Sequence, residues 1–177
     1  PGKGNDPIRT PESLPTGRNF YALDGSLLPT RVGFDVGNAL AAKVLSGESG
    51  VAIANVDTSN NKQGIILWAS DAVRDEGAMI AFGMKLLGVK PIWNSRGIIK
   101  GLERIPLGPD QPTRLDVVFT TSGLFRDLYG EHLLLLDKAG LMALDASRDR
   151  ISHDYPALSL ALHEALAPLG SDEQGGK

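Results

Sequence analysis

Cysteine is absent from the 177 residues. Disulfides, thiolate metal sites, iron–sulfur clusters and a cysteine nucleophile are therefore excluded. Histidine is scarce: His132, His153 and His163 are the full set, and their wide spacing argues against an ordinary zinc site. Aromatic residues make up only 6%. Long apolar runs are missing as well. The longest, around Leu133 to Leu136, is broken by Asp137 and Lys138, well short of the roughly 18 residues of a membrane helix. Nothing near the start reads as a signal peptide. An excess of positive charge is also lacking: 18 Lys and Arg against 21 Asp and Glu leave a net −3, which disfavours non-specific binding to phosphate backbones. These absences predict a soluble, cytoplasmic chain with no nucleic-acid or membrane partner.

What is present suits a folded domain. Hydrophobic residues are 42% and charged residues 22% of the chain, and this length buries roughly 70% of its unfolded surface. The first residue is Pro1, which predicts a piece of something longer. Residues 1–29 carry Pro1, Pro7, Pro11, Pro15 and Pro29 and read as an extended, irregular arm. Residues 30–169 read as one α/β domain. The polar, Gly-rich stretch 170–177 reads as a disordered tail.

Within the domain, Thr30 is placed to cap a helix whose inner stripe is Val32, Val36, Leu40 and Val44, ending by Gly47. Residues 46–63 read as a loop, with room for a short edge strand at Val51 to Val56. Gly64 to Ala69 is an apolar run expected as a buried strand. Ser70 and Asp71 then serve as helix cap and first-turn acid, Val73, Ile80, Met84 and Leu87 keep helical spacing, and Gly88 stops the helix. Strands follow at Val89 to Asn94, within Ile98 to Leu107, and at Arg114 to Thr120. A long helix is predicted over 124–146 with Leu124, Leu128, Leu135 and Met142 inside, then a last one from Tyr155-Pro156. This alternation predicts a three-layer α/β fold, a mostly parallel Rossmann-like sheet with flanking helices. Ligands in such sheets sit beyond the carboxyl ends of strands.

Three segments hold candidate chemistry. In the arm, Leu14-Pro-Thr-Gly-Arg-Asn-Phe-Tyr-Ala-Leu-Asp24 offers Arg18 to grip a carboxylate, Asn19 to donate and accept, and Tyr21 to lie on a flat ring; equally, these groups can tie the arm to the domain. The first strand-to-helix turn sets Asp71, Arg74, Asp75 and Glu76 in a helix's opening turn, where acids suit the dipole in any case. There Glu76 can take protons or pass on a hard cation. The second turn, Thr120-Thr-Ser-Gly-Leu-Phe-Arg-Asp127, puts Ser122 and Gly123 at a helix start suited to an anion, with Arg126 free to reach a ligand or to pair with Asp127 or Asp71. It is neither a Walker A loop nor Gly-x-Gly-x-x-Gly. No nucleophile elbow is present. Asp149, Arg150, His153 and Asp154 read as a solvated connection, and His132 and His163 as partly buried structural histidines.

Four blocks in order carry a resemblance: Leu14 to Asp24, Ile66-Leu-Trp-Ala-Ser-Asp-Ala-Val-Arg-Asp-Glu-Gly77, Leu87-Gly-Val-Lys-Pro-Ile-Trp-Asn94, and Asp116-Val-Val-Phe-Thr-Thr-Ser-Gly-Leu-Phe-Arg-Asp-Leu128. As a set they resemble the large subunit of cobaltochelatase and its counterpart in magnesium chelatase, the H-type chain. The resemblance implies insertion of a divalent metal, cobalt or magnesium, into a tetrapyrrole held by the large subunit. It implies two partner subunits, an AAA+ ATPase and its companion, that carry ATP and magnesium, and no cofactor on this chain. The resemblance sets these residues in family motifs without assigning their roles; on the chemistry such an insertion needs, Glu76 and Asp71 are the catalytic candidates and Arg18, Asn19, Tyr21, Arg74, Ser122 and Arg126 the candidates for holding the ring, with the metal ligands unassigned. Thr16-Gly-Arg-Asn19 and Arg74-Asp-Glu-Gly77 look more like cobalt-type than magnesium-type sequences, which usually show Lys for Arg18 and lack Glu76. The implied activity is cobalt insertion in cobalamin biosynthesis. The alternatives are a magnesium chelatase subunit or a scaffold domain within either.

Overall fold

The computed structural model describes residues 25–46 and 62–166, and the backbone of 2–3 and 19–21. The loop and short strand expected within 47–61, most of the arm, and the 170–177 tail lie outside the described residues. The fold is mixed α/β, with a parallel strand pair and flanking helices. Strand β1 (Gly2–Lys3) pairs in parallel with β2 (Asn19–Tyr21). Helix α1 spans Arg31–Leu45. Next come β3 (Lys62–Leu67), α2 (Ala69–Arg74), α3 (Ala78–Leu86), β4 (Val89–Trp93), β5 (Ile99–Arg104) and β6 (Asp116–Thr121). Four helices close the chain: α4 (Gly123–Leu128), α5 (Gly130–Ala146), α6 (Arg148–Asp154) and α7 (Pro156–Leu166).

β3 and β6 pair in parallel, in register from Lys62↔Asp116 to Leu67↔Thr121. β4 and β5 form an antiparallel pair. Ile65 and Leu67 point into the core, where they meet Ile80, Met84 and Leu86 of α3 and Phe125 of α4. α3 is apolar around most of its circumference and is buried at every residue but Met79, as a helix hydrophobic on nearly all sides should be; its one charge, buried Lys85, donates to the Asp110 carbonyl at 2.9 Å. Gly88, with φ +73°, ends it in the left-handed conformation expected of that residue.

Three apolar stripes differ from expectation. Thr30 does cap α1, its hydroxyl accepting from Gly33 N–H at 3.0 Å. The buried face of α1, however, is Gly33, Gly37 and Ala41, while Val32, Val36 and Leu40 face outward. The reason is close approach. A Cβ on Gly37 would sit 2.3 Å from the Ala78 carbonyl oxygen, so only small residues let α1 lie on α3. The long helix expected over 124–146 is broken at Tyr129, whose φ of −125° and ψ of 37° are not helical. Its inner face is Phe125, Tyr129, His132 and Leu136, and Leu124 and Leu128 are exposed. Aromatic packing chooses that face: the Phe125 and Tyr129 rings are 5.3 Å apart, and Gly25 lies so near the Tyr129 ring that a Cβ there would be 2.7 Å away. The expected apolar strand 64–69 is buried only on alternate residues, with Ile66 and Trp68 outside. Among the described residues, no helix is long and apolar enough to cross a membrane.

Candidate functional site

Because β3 and β6 are parallel and in register, their carboxyl ends stop side by side. Ser122 N–H donates to the Leu67 carbonyl at 3.0 Å and ties the two strand-to-helix corners together. This is the edge where open α/β sheets receive ligands. Three large apolar side chains stand in the open at these corners: Trp68 at 55% exposure, Leu124 at 58% and Leu128 at 61%. The short helix after each corner also carries an exposed guanidinium. Arg74 pairs with Asp71 at 2.8 Å, and Arg126 pairs with Asp127 at 2.9 Å, all four side chains substantially exposed. Of the two partners open to Arg126, it takes its neighbour. Exposed pairs of this kind hold geometry weakly and are readily exchanged for a ligand carboxylate.

The second corner is internally satisfied. Ser122 caps α4, its Oγ accepting from Phe125 N–H at 3.1 Å. One of its two lone pairs is thus used by its own six-residue helix. The first corner is built differently from expectation. α2 starts at Ala69, after Trp68, and no side chain caps it, so Ser70 is not the cap. Asp75 and Glu76 are not in a helix's opening turn. They form the junction between α2 and α3, because Glu76 (φ +56°) and Gly77 (φ +78°) are both left-handed. Asp75 serves the junction, accepting from Gly77 N–H at 2.9 Å and Met79 N–H at 3.4 Å. Burial pushes its carboxyl above the usual range, and those backbone donors offset part of the rise.

The root of the arm locks onto this junction. Thr30 N–H donates to the Glu76 carbonyl at 3.0 Å, and Thr30 Oγ1 donates to Glu76 Oε2 at 2.7 Å. Trp93 Nε1 donates to the Pro29 carbonyl at 3.1 Å. His132 Nε2 lies 2.7 Å from the Leu28 carbonyl. A carbonyl can only accept, so Nε2 carries the proton. Burial pushes the His132 pKa down, which keeps the ring neutral. His132 is the structural histidine that the sequence suggested.

The first corner therefore meets the second corner at the start of α2 and the arm root just past its end. A six-residue helix spans about 9 Å. Of the arm candidates, Asn19 and Tyr21 lie in β2, opposite Gly2 and Lys3, and Arg18 is outside the described residues. Asp71, Arg74, Glu76, Ser122 and Arg126 all lie on the two corners or the junction. The sequence reading missed Trp68 and Thr30 as site residues. Nothing in the sequence singled out Trp68, because Ile65-Ile66-Leu67-Trp68 is apolar at every position and does not alternate. Asp149, Arg150, His153 and Asp154 are exposed as expected, but they lie on helix α6 and not in a connection between helices, with Arg150 and His153 both on Asp154. His163, expected to be partly buried, is exposed; it borders a hollow of about 880 Å³ among α5, α6 and α7 with Leu141, Leu144, Ile151 and Leu160. Among the described residues, no three His, Asp or Glu side chains gather as metal ligands.

The family model for CobN/Magnesium Chelatase matches residues 1–152. The chain belongs to this family. It is 34% identical over 155 residues to the H-type chain of the magnesium chelatase of Rhodobacter capsulatus, covering 88% of this chain and 12% of that protein. It is 33% identical over 142 residues to the aerobic cobaltochelatase subunit CobN of a Sinorhizobium species, covering 78% of this chain and 11% of that protein. The solved catalytic subunit of cobaltochelatase from Mycobacterium tuberculosis superposes with a TM-score of 0.64 at 27% identity, over 80% of this chain and 13% of that one. The chain thus spans only about an eighth of the chelatase subunits it matches, as those 12% and 13% shares show.

Proposed function

We propose that this chain forms one wall of the tetrapyrrole cleft in the large subunit of an ATP-dependent metal chelatase, one that inserts cobalt into a corrin-ring precursor. The observation that supports it most is the shared edge of the two corners, whose strands end side by side and whose following segments carry exposed Trp68, Leu124 and Leu128 and the exposed guanidiniums of Arg74 and Arg126. A tetrapyrrole is flat and apolar with acidic arms. Apolar side chains suit its face, and guanidiniums suit its carboxylates.

Insertion turns a divalent cation and a ring bearing two N–H groups into a metal complex and two protons. Each nitrogen loses its proton, and the lone pair left behind binds the metal. Glu76 is the acceptor in this reading, taking one proton at a time and handing it to water. Asp71 orients Arg74 through their ion pair. Ser122 shapes the second corner. Arg18, Asn19 and Tyr21 bring the arm to the ring. The remainder of the large subunit completes the cleft, and an AAA+ ATPase subunit and its companion supply the energy in the cytoplasm. This chain alone does not turn over. The choice of cobalt over magnesium rests on Arg18 and Glu76; magnesium insertion into protoporphyrin is the alternative.

A scaffold reading has its own support. Val32, Val36 and Leu40 on α1 and Leu158 and Leu160 on α7 are exposed apolar rows that neighbouring structure would cover. Titrating the full-length subunit with tetrapyrrole, read at the Soret band, separates the two. The Arg74→Ala/Arg126→Ala double variant is expected to raise Kd about tenfold, since each exposed pair is worth up to about 1 kcal/mol. An unchanged Kd together with unchanged turnover would leave only the scaffold.

A further inference from the structure

We infer that Thr30 is a positioning residue for the Glu76 carboxylate. This rests on the reading of Glu76 as the proton acceptor. A threonine hydroxyl has one proton and two lone pairs. One lone pair of Thr30 Oγ1 accepts from Gly33 N–H at 3.0 Å, the cap of α1. Its single proton is then directed at Glu76 Oε2, 2.7 Å away. The same residue's N–H holds the Glu76 carbonyl at 3.0 Å. Glu76 is thereby gripped at both its backbone and its side chain by one residue 46 positions earlier. Among the described residues nothing donates to the other carboxylate oxygen, Oε1, and in this reading it is the oxygen that takes the proton.

Two further observations point the same way. Glu76 is the one non-glycine residue with positive φ among those described. A left-handed glutamate is strained, whereas glycine would sit there freely. Gly33 also leaves the Glu76 carbonyl no slack: a Cβ at that position would lie 2.1 Å from it. The arm root, the start of α1 and the α2–α3 junction together set where the carboxylate points. The neighbouring carboxylates are spoken for, Asp75 by Gly77 and Met79 N–H and Asp71 by Arg74.

The test uses the full-length subunit assembled with its ATPase partners, with initial rates of metal insertion at varied tetrapyrrole. Thr30→Ser keeps both the cap and the donated proton and is expected to hold kcat within twofold. Thr30→Asp keeps an acceptor for the cap but cannot donate. It is expected to lower kcat about tenfold with KM within twofold, because a carboxylate about 1 Å out of place can cost up to about 10²-fold. Glu76→Gln is expected to lower kcat about 10²-fold. On that background Thr30→Asp should cost nothing more, whereas general structural damage would multiply the losses. If Thr30→Asp keeps full kcat while Glu76→Gln loses it, the positioning role is overturned and the acceptor reading stands. If the Thr30→Asp loss persists undiminished on the Glu76→Gln background, the positioning role is likewise overturned. If Glu76→Gln keeps full kcat, both fall.

Discussion

At the end of β6, Ser122 caps α4, and a side-chain acceptor meets the Phe125 N–H in the helix's first turn. At the end of β3, no side chain caps α2, and the chain passes at once through two left-handed residues before α3. The two corners begin alike, as the adjoining ends of one parallel pair, each with an Arg–Asp ion pair on its surface. They differ in what surrounds them. A Cβ on Gly123 at the second corner would meet nothing within 4 Å, while Gly33, pressed on the first corner's junction, has no room for one. The relaxed corner offers shape and a guanidinium. The strained one holds a carboxylate in an orientation that three segments enforce. Backbone strain persists only where surrounding contacts over-determine it, and the first corner meets that condition.

Substitutions can break this contrast. The largest effect is expected from Gly33→Ala, which forces a methyl into the Glu76 carbonyl and costs about 3 kcal/mol of stability in denaturant unfolding of the chain. Ser122→Ala loses a cap and costs about 1 kcal/mol, yet leaves metal insertion by the assembled enzyme within twofold. Glu76→Gly removes the left-handed strain and the Thr30 hydrogen bond, which nearly cancel, so stability stays within about 1 kcal/mol while insertion collapses. Gly123→Ala should be neutral to within about 0.5 kcal/mol. The mildest effect is a pH slope from the arm root. Burial lowers the His132 pKa in the folded state from its ordinary 6.5, so the unfolded chain binds more protons just below that pH. Stability present above pH 6.5 is therefore lost as pH falls below it, and His132→Gln should flatten that part of the unfolding profile.

Much of the fold could be read from the sequence because the signals were local. The Thr30 cap, the Gly88 stop, the apolar run at 64–69 and the β-branched run at 114–120 each depend on near neighbours. The buried faces were harder. Val32, Val36 and Leu40 are a good helical stripe, yet the helix turns it outward because Gly33 and Gly37 allow backbone contact worth more than their missing side chains. Leu124 and Leu128 lost the inner face to Phe125 and Tyr129 for a similar reason, since the arm root docks on Tyr129. The site followed the same rule. That two corners share one edge was legible from strand–helix alternation. That Glu76 is left-handed and held by Thr30 was not, because the contact joins residues 46 apart and no spacing rule links them.

The most direct measurement is hydrogen exchange of the full-length subunit with and without bound tetrapyrrole. The account predicts slowed exchange at both corners, over residues 68–77 and 122–128, with helix α7, which lies on neither corner, unchanged. Slowed exchange confined to other parts of the subunit, with both corners unaffected, would contradict it.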